Sequence, residues 1–128
     1  VEEDSSLIKL VGLNKKGMEC LSQGNFERAH ACLKQAEKMI GSVKVPEDIH
    51  SDDHSQLFSL TMNNLGCYYK KVKRPNVALR YMKMALANEI EKGQPRSHVS
   101  STKLNICAIL STLKKHDQAI EYANSAIQ

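Results

Sequence analysis

The chain of 128 residues is 41% hydrophobic and 5% aromatic, with a net charge of +4 and no Trp, a balance that suits one small domain able to bury a core. No apolar run approaches the roughly 18 residues that span a bilayer, and the opening Val1-Glu2-Glu3-Asp4 is acidic where a signal peptide is basic, so a soluble, cytoplasmic chain is expected. Cys20, Cys32, Cys67 and Cys107 read as small hydrophobes of a reducing compartment, not as a disulfide framework.

Taken in chain order, the hydrophobic periodicity predicts six helices and no strand. The first covers Ser6 to Ser22 and carries Leu13, Gly17 and Cys20. Gly24 and Asn25 then mark a turn into a helix from Phe26 to Ile40 with Ala29, Leu33 and Ala36, closed by Gly41 in left-handed geometry. The segment from Gly41 to Asp53, rich in Ser, Pro and Asp, reads as a loop. Asp53 is placed to cap a third helix, His54 to Lys71, by accepting a free backbone N–H.

That third helix carries Met62, Leu65, Gly66 and Tyr69. Lys73, Arg74, Pro75 and Asn76 form the next turn, with Pro75 suited to the first turn of a helix, where its missing N–H costs nothing. The fourth helix, Asn76 to Lys92, carries Ala78, Met82 and Ala85 and closes at Gly93. A fifth, Arg96 to Leu113, holds Ile106 and Leu110, and a sixth, Asp117 to Ile127, holds Ala119, Ala123 and Ala126. Leu65 and Tyr69 share a face at i, i+4 spacing, while Gly66 and Ala78 lack bulk and let two helices approach as an antiparallel hairpin.

The run Met62-x2-Leu65-Gly66-x2-Tyr69, then Ala78-x3-Met82-x2-Ala85, resembles a tetratricopeptide repeat, with Met62 and Met82 in place of the usual Trp and aromatic. Two further copies flank it. Upstream, Lys16 stands where the family has Leu; downstream, Lys103 and Cys107 replace the large residue and the Gly. The equivalent Ala29, Ala78 and Ala119 are 49 and 41 residues apart (29 to 78 and 78 to 119), against about 34 in the family. The loop after Gly41 accounts for the first excess and lengthened helices for the second. The resemblance implies an all-α, right-handed superhelix, an α-solenoid of three antiparallel hairpins, with repeats roughly at 7–40, 54–92 and 96–128 in a single domain. Because the chain lacks an initial Met and stops directly after its last helix, a piece of a longer protein is expected, with an apolar face open at the last hairpin.

The resemblance also implies a protein-binding groove lined by the first helix of each hairpin. The residues it assigns there are Val11, Lys15, Met18 and Ser22, then Leu60, Asn64, Cys67 and Lys71, then Ser101, Asn105, Ala108 and Thr112. Asn64 and Asn105 precede Leu65 and Ile106, where some family members carry asparagines that hold a peptide backbone; a carboxamide offers both a donor and an acceptor to any peptide unit. Lys15 breaks that ladder. The clamp of Lys, Arg and Asn with which chaperone-binding members hold a terminal carboxylate is matched only at Asn64, so a chaperone C-terminus is a poor fit.

Other signals are weaker. Lys70-Lys71-Val72-Lys73-Arg74-Pro75 resembles a nuclear import signal but reads better as cations at a helix C-terminus. Aromatic interleaving and a glycine-rich loop are both missing, which argues against nucleic acid. His50-Ser51-Asp52-Asp53-His54 lacks the additional ligands of a metal site. His30 and Cys32, at i, i+2, point apart and form no catalytic pair. The expectation is therefore a non-catalytic module without cofactors, binding a peptide or helix segment of another protein. The alternative is a scaffold segment of a cytoskeletal or basal-body type of protein, associating through its array ends and convex face.

Overall fold

The computed structural model of the chain describes residues 2–42 and 52–127. Among them are six α-helices and no strand: α1 (Glu2–Ser22), α2 (Phe26–Ser42), α3 (Asp52–Lys71), α4 (Pro75–Glu91), α5 (Arg96–Thr112) and α6 (His116–Ala126). Consecutive helices pair as hairpins, α1 with α2, α3 with α4 and α5 with α6, and the hairpins stack, α3 against α1 and α2, α5 against α4. The result is an α-solenoid with one continuous core running from Leu10 and Leu33 through Leu65 and Met82 to Ile106 and Leu110.

Within a hairpin, spacing is set by a missing side chain on one helix and a bulky one on the other. A Cβ built on Gly17 stands 2.8 Å from the Leu33 side chain, and one on Gly66 stands 2.7 Å from Met82, well inside van der Waals contact. At the equivalent positions of the third hairpin the sizes are reversed, with Cys107 on α5 and Ala123 on α6. On the side of the second helices, Tyr69 stacks on Tyr81 with centroids 5.5 Å apart, and His30 of α2 packs on Tyr68 at 5.3 Å. Lys34 joins Glu37 to the Tyr81 hydroxyl at 2.6 and 3.3 Å.

Helix ends follow a common geometry. Gly24, Lys73, Gly93 and Lys114 all have positive φ (81, 65, 64 and 63°). In each case the next residue's N–H reaches back to the carbonyl five positions earlier, as in Asn25 to Cys20 at 2.8 Å and Arg74 to Tyr69 at 2.8 Å, so orphan carbonyls of the last turn are satisfied. Pro75 opens α4 as expected, and Lys70 and Lys71 sit in the last turn of α3. Two expectations are corrected. α2 runs through Gly41 to Ser42, so Gly41 is helical and caps nothing; α3 begins at Asp52, so Asp53 lies inside its first turn, where an acidic residue favours the helix dipole. The rest of the expected loop, 43–51, and with it His50 and Ser51, lies outside the described residues.

Candidate binding groove

The first helices carry polar residues in two roles, which overlap at Asn63, Asn64 and Thr102. In one they tie hairpin to hairpin. Asn14 of α1 is 2% exposed and donates Nδ2 to the Leu10 carbonyl and to Thr61 Oγ1 of α3, both at 3.0 Å. Thr61 in turn donates to the Leu57 carbonyl at 2.7 Å. One hairpin later, Asn63 of α3 donates to Thr102 Oγ1 of α5 at 3.2 Å. The separations are again 49 residues, from Asn14 to Asn63, and 41 residues, from Thr61 to Thr102, so the same Asn–Thr bond is made twice. A buried amide left without this partner would cost about 1–3 kcal/mol, which makes the bond a register lock for the stack.

In the other they face a cavity of about 760 Å³ on the concave side, lined by α1 (Leu7, Ile8, Val11), by α3 from Asp53 to Cys67, and by α5 from His98 to Asn105. Its rim is apolar: Ile8, Val11 and Leu60 are 72, 50 and 43% exposed. Of the residues assigned from sequence, Val11, Leu60, Asn64, Cys67, Ser101 and Asn105 line this cavity. Burial raises the Cys67 thiol pKa, against the pull of Lys70.

The other six do not line it. Lys15, Ser22, Lys71 and Thr112 are exposed away from it, Met18 is half-buried among core residues, and Ala108 is half-buried on the part of α5 beyond the lining. The reason is a shift of about one to two turns toward the N-termini of the first helices. The expected strip follows the helix face down to the C-terminal ends, whereas the cavity opens where Leu7, Gln56 and His98 stand. Asn64 also differs from expectation. It is buried, and its Nδ2 donates to Asn14 Oδ1 at 2.9 Å, so half of its carboxamide belongs to the hairpin interface.

Sequence reasoning missed Glu89, Gln94, Asn63 and Thr102, which form the floor of the cavity. Glu89 on α4 is 2% exposed. Its burial pushes the carboxyl above the usual carboxylate range, while a hydrogen bond from the Thr102 hydroxyl and the nearby His98 pull it back. Ser55, Ser59, Asn88 and Gln94 complete a polar cluster beneath, with Asn88 Nδ2 to Ser59 Oγ at 2.8 Å and Gln94 Nε2 to Ser55 Oγ at 2.6 Å. The doubled 49- and 41-residue spacing of Asn and Thr was a usable signal for Asn63 and Thr102; Glu89 comes from a second helix and has no such mark.

Among the described residues no group of three or more His, Cys, Asp or Glu could hold a metal ion, and no helix is long and apolar enough to cross a membrane. The four cysteines are free thiols.

Stacked hairpins, a continuous core and a concave cavity on the first helices define a helical-repeat fold. The chain is similar to the N-terminal domain of stress-induced protein-1 (STI-1) from C. elegans, with a TM-score of 0.73 over 95% of this chain and 84% of that one, at 12% sequence identity. No family model and no curated protein matches the sequence.

Proposed function

We propose that the chain is a single domain of three tetratricopeptide-type units, at about 7–40, 54–92 and 96–128, and acts as a non-catalytic protein-interaction module. Its concave groove takes a peptide segment of a partner protein. The observation that carries this reading is the placement of Ile8, Val11 and Leu60, large apolar side chains held in solvent around one cavity. An exposed cluster of this kind marks an interaction surface more often than scattered apolar residues do. Anchoring side chains of a peptide would cover them, while Asn105 and the free part of Asn64 meet its backbone.

Asn64 is a poor handle for a test, since its loss disturbs the bond to Asn14. Leu60→Lys and Asn105→Ala probe the groove, and Met84→Lys, at an exposed apolar position on α4, is the control. Quantitative affinity capture with correctly folded variants is expected to show partners lost from both groove variants and kept by Met84→Lys. Equal recovery by all three would remove the groove reading.

A second reading has its own observation. Leu104, Ile120 and Ile127 are exposed on the last hairpin. They occupy the positions at which Asn14 and Asn63 (for Leu104) and His30 (for Ile120) touch the following hairpin. These exposed apolar side chains favour a scaffold role in which this face stacks against another hairpin.

A further inference from the structure

The groove is lined by residues that hold buried oxygen atoms without donors. Glu89 lines the cavity at 2% exposure, and its Oε1 has no hydrogen-bond partner. Two carboxamides of the lining, Asn63 and Gln94, carry further oxygens of this kind. Asn63 spends its Nδ2 on Thr102 and Gln94 its Nε2 on Ser55, leaving Asn63 Oδ1 and Gln94 Oε1 buried and without donors. The three are linked: Asn63 bonds Thr102, which stands near enough to Glu89 to lower its pKa, and the Gln94 backbone N–H donates to the Glu89 carbonyl at 2.9 Å. Although the chain carries a net charge of +4, the described lining residues include Asp53 and Glu89 and neither Lys nor Arg.

Acceptors gathered in a buried place, one of them ionisable to a carboxylate, call for a cationic donor with several N–H groups. A carboxylate has no donor of its own when ionised, and a buried charge needs a partner. We propose that the floor receives an arginine side chain of the bound peptide, flanked by apolar residues that seat on Ile8, Val11 and Leu60; the inference rests on the peptide-groove reading above. Arginine fits better than lysine. Its planar guanidinium spreads five N–H donors, enough for oxygens contributed from α3, α4 and the turn after α4, and is more weakly hydrated than an ammonium. Its aliphatic stem crosses the apolar rim without loss. An acidic segment or a terminal carboxylate would instead meet Asp53 with like charge and find no Lys or Arg in the lining to pair with.

The test is selection of a library of short random peptides displayed on phage, on the wild-type chain, Glu89→Gln and Leu60→Lys, each checked for helicity. The wild type is expected to enrich one arginine between apolar residues. Glu89→Gln should keep the apolar preference and lose the arginine, and Leu60→Lys should lose both. The best peptide, synthesised with arginine and with citrulline, its neutral near-isostere, is expected to bind the wild type about tenfold more tightly in the arginine form. This second comparison needs no variant and so does not depend on Glu89→Gln folding. An apolar consensus with no arginine preference, or equal affinity of the two synthetic peptides, overturns the arginine assignment and leaves the groove reading standing. Enrichment indifferent to Leu60→Lys overturns both.

Discussion

Glu89 is held in a fold that prefers it protonated, because burial outweighs the Thr102 hydroxyl and His98. The sign of the consequence is fixed. A carboxyl whose folded pKa is raised binds its proton more tightly in the native chain, so its stabilising effect is complete below the ordinary carboxylate range and is lost as pH rises through the folded value. Glu89→Gln is therefore expected to melt at a higher temperature than the wild type near neutral pH, with the difference vanishing as pH falls below the ordinary carboxylate range. Differential scanning calorimetry across that range checks it; a variant less stable at neutral pH would show that the Thr102 bond outweighs desolvation. Residue-scale roles were the least legible in the sequence. Asn14, Asn63 and Asn64 are one residue type on one kind of helix. Which amide bonds a neighbouring hairpin and which faces the groove depends on rotations set only when the helices stack.

Element geometry was read more securely, since turns and close approaches leave marks in residue size. Gly17 and Gly66 announce where a second helix presses close, and Leu33 and Met82 answer them. The third hairpin lacks the glycine because Ala123 leaves room for Cys107 from the other side. Turn chemistry was only half visible. Gly24 and Gly93 are natural in left-handed geometry, but Lys73 and Lys114 adopt the same φ although their side chains strain it by about 1 kcal/mol. Lys73→Gly with Lys114→Gly is expected to raise stability by about 1 kcal/mol in total, part of the relief being offset by a more flexible unfolded chain. Urea unfolding should show a higher midpoint at unchanged slope. Gly24→Ala, which imposes the same strain anew, should move the midpoint the opposite way.

At the scale of the molecule, the stack repeats one inter-hairpin bond and then stops repeating it. Leu104 stands where Asn14 and Asn63 stand in the preceding units, and with Ile120 and Ile127 it leaves an apolar end. If that end is a stacking face between copies, sedimentation at rising concentration will show association of the wild type that a Leu104→Asp, Ile120→Asp variant abolishes without lowering its melting temperature. A chain that stays monomeric throughout removes the self-association reading.

The sequence by itself determined the six helices and their pairing, and through its resemblance to a repeat family the all-α solenoid, because helix periodicity, small residues at close approaches and a repeated motif are local or nearly local properties. Only the tertiary structure decided where the groove opens and what lies at its floor. Glu89, Gln94, Asn63 and Thr102 come from three helices and a turn, and their shared burial and unpaired oxygens exist only once the second and third hairpins are packed together.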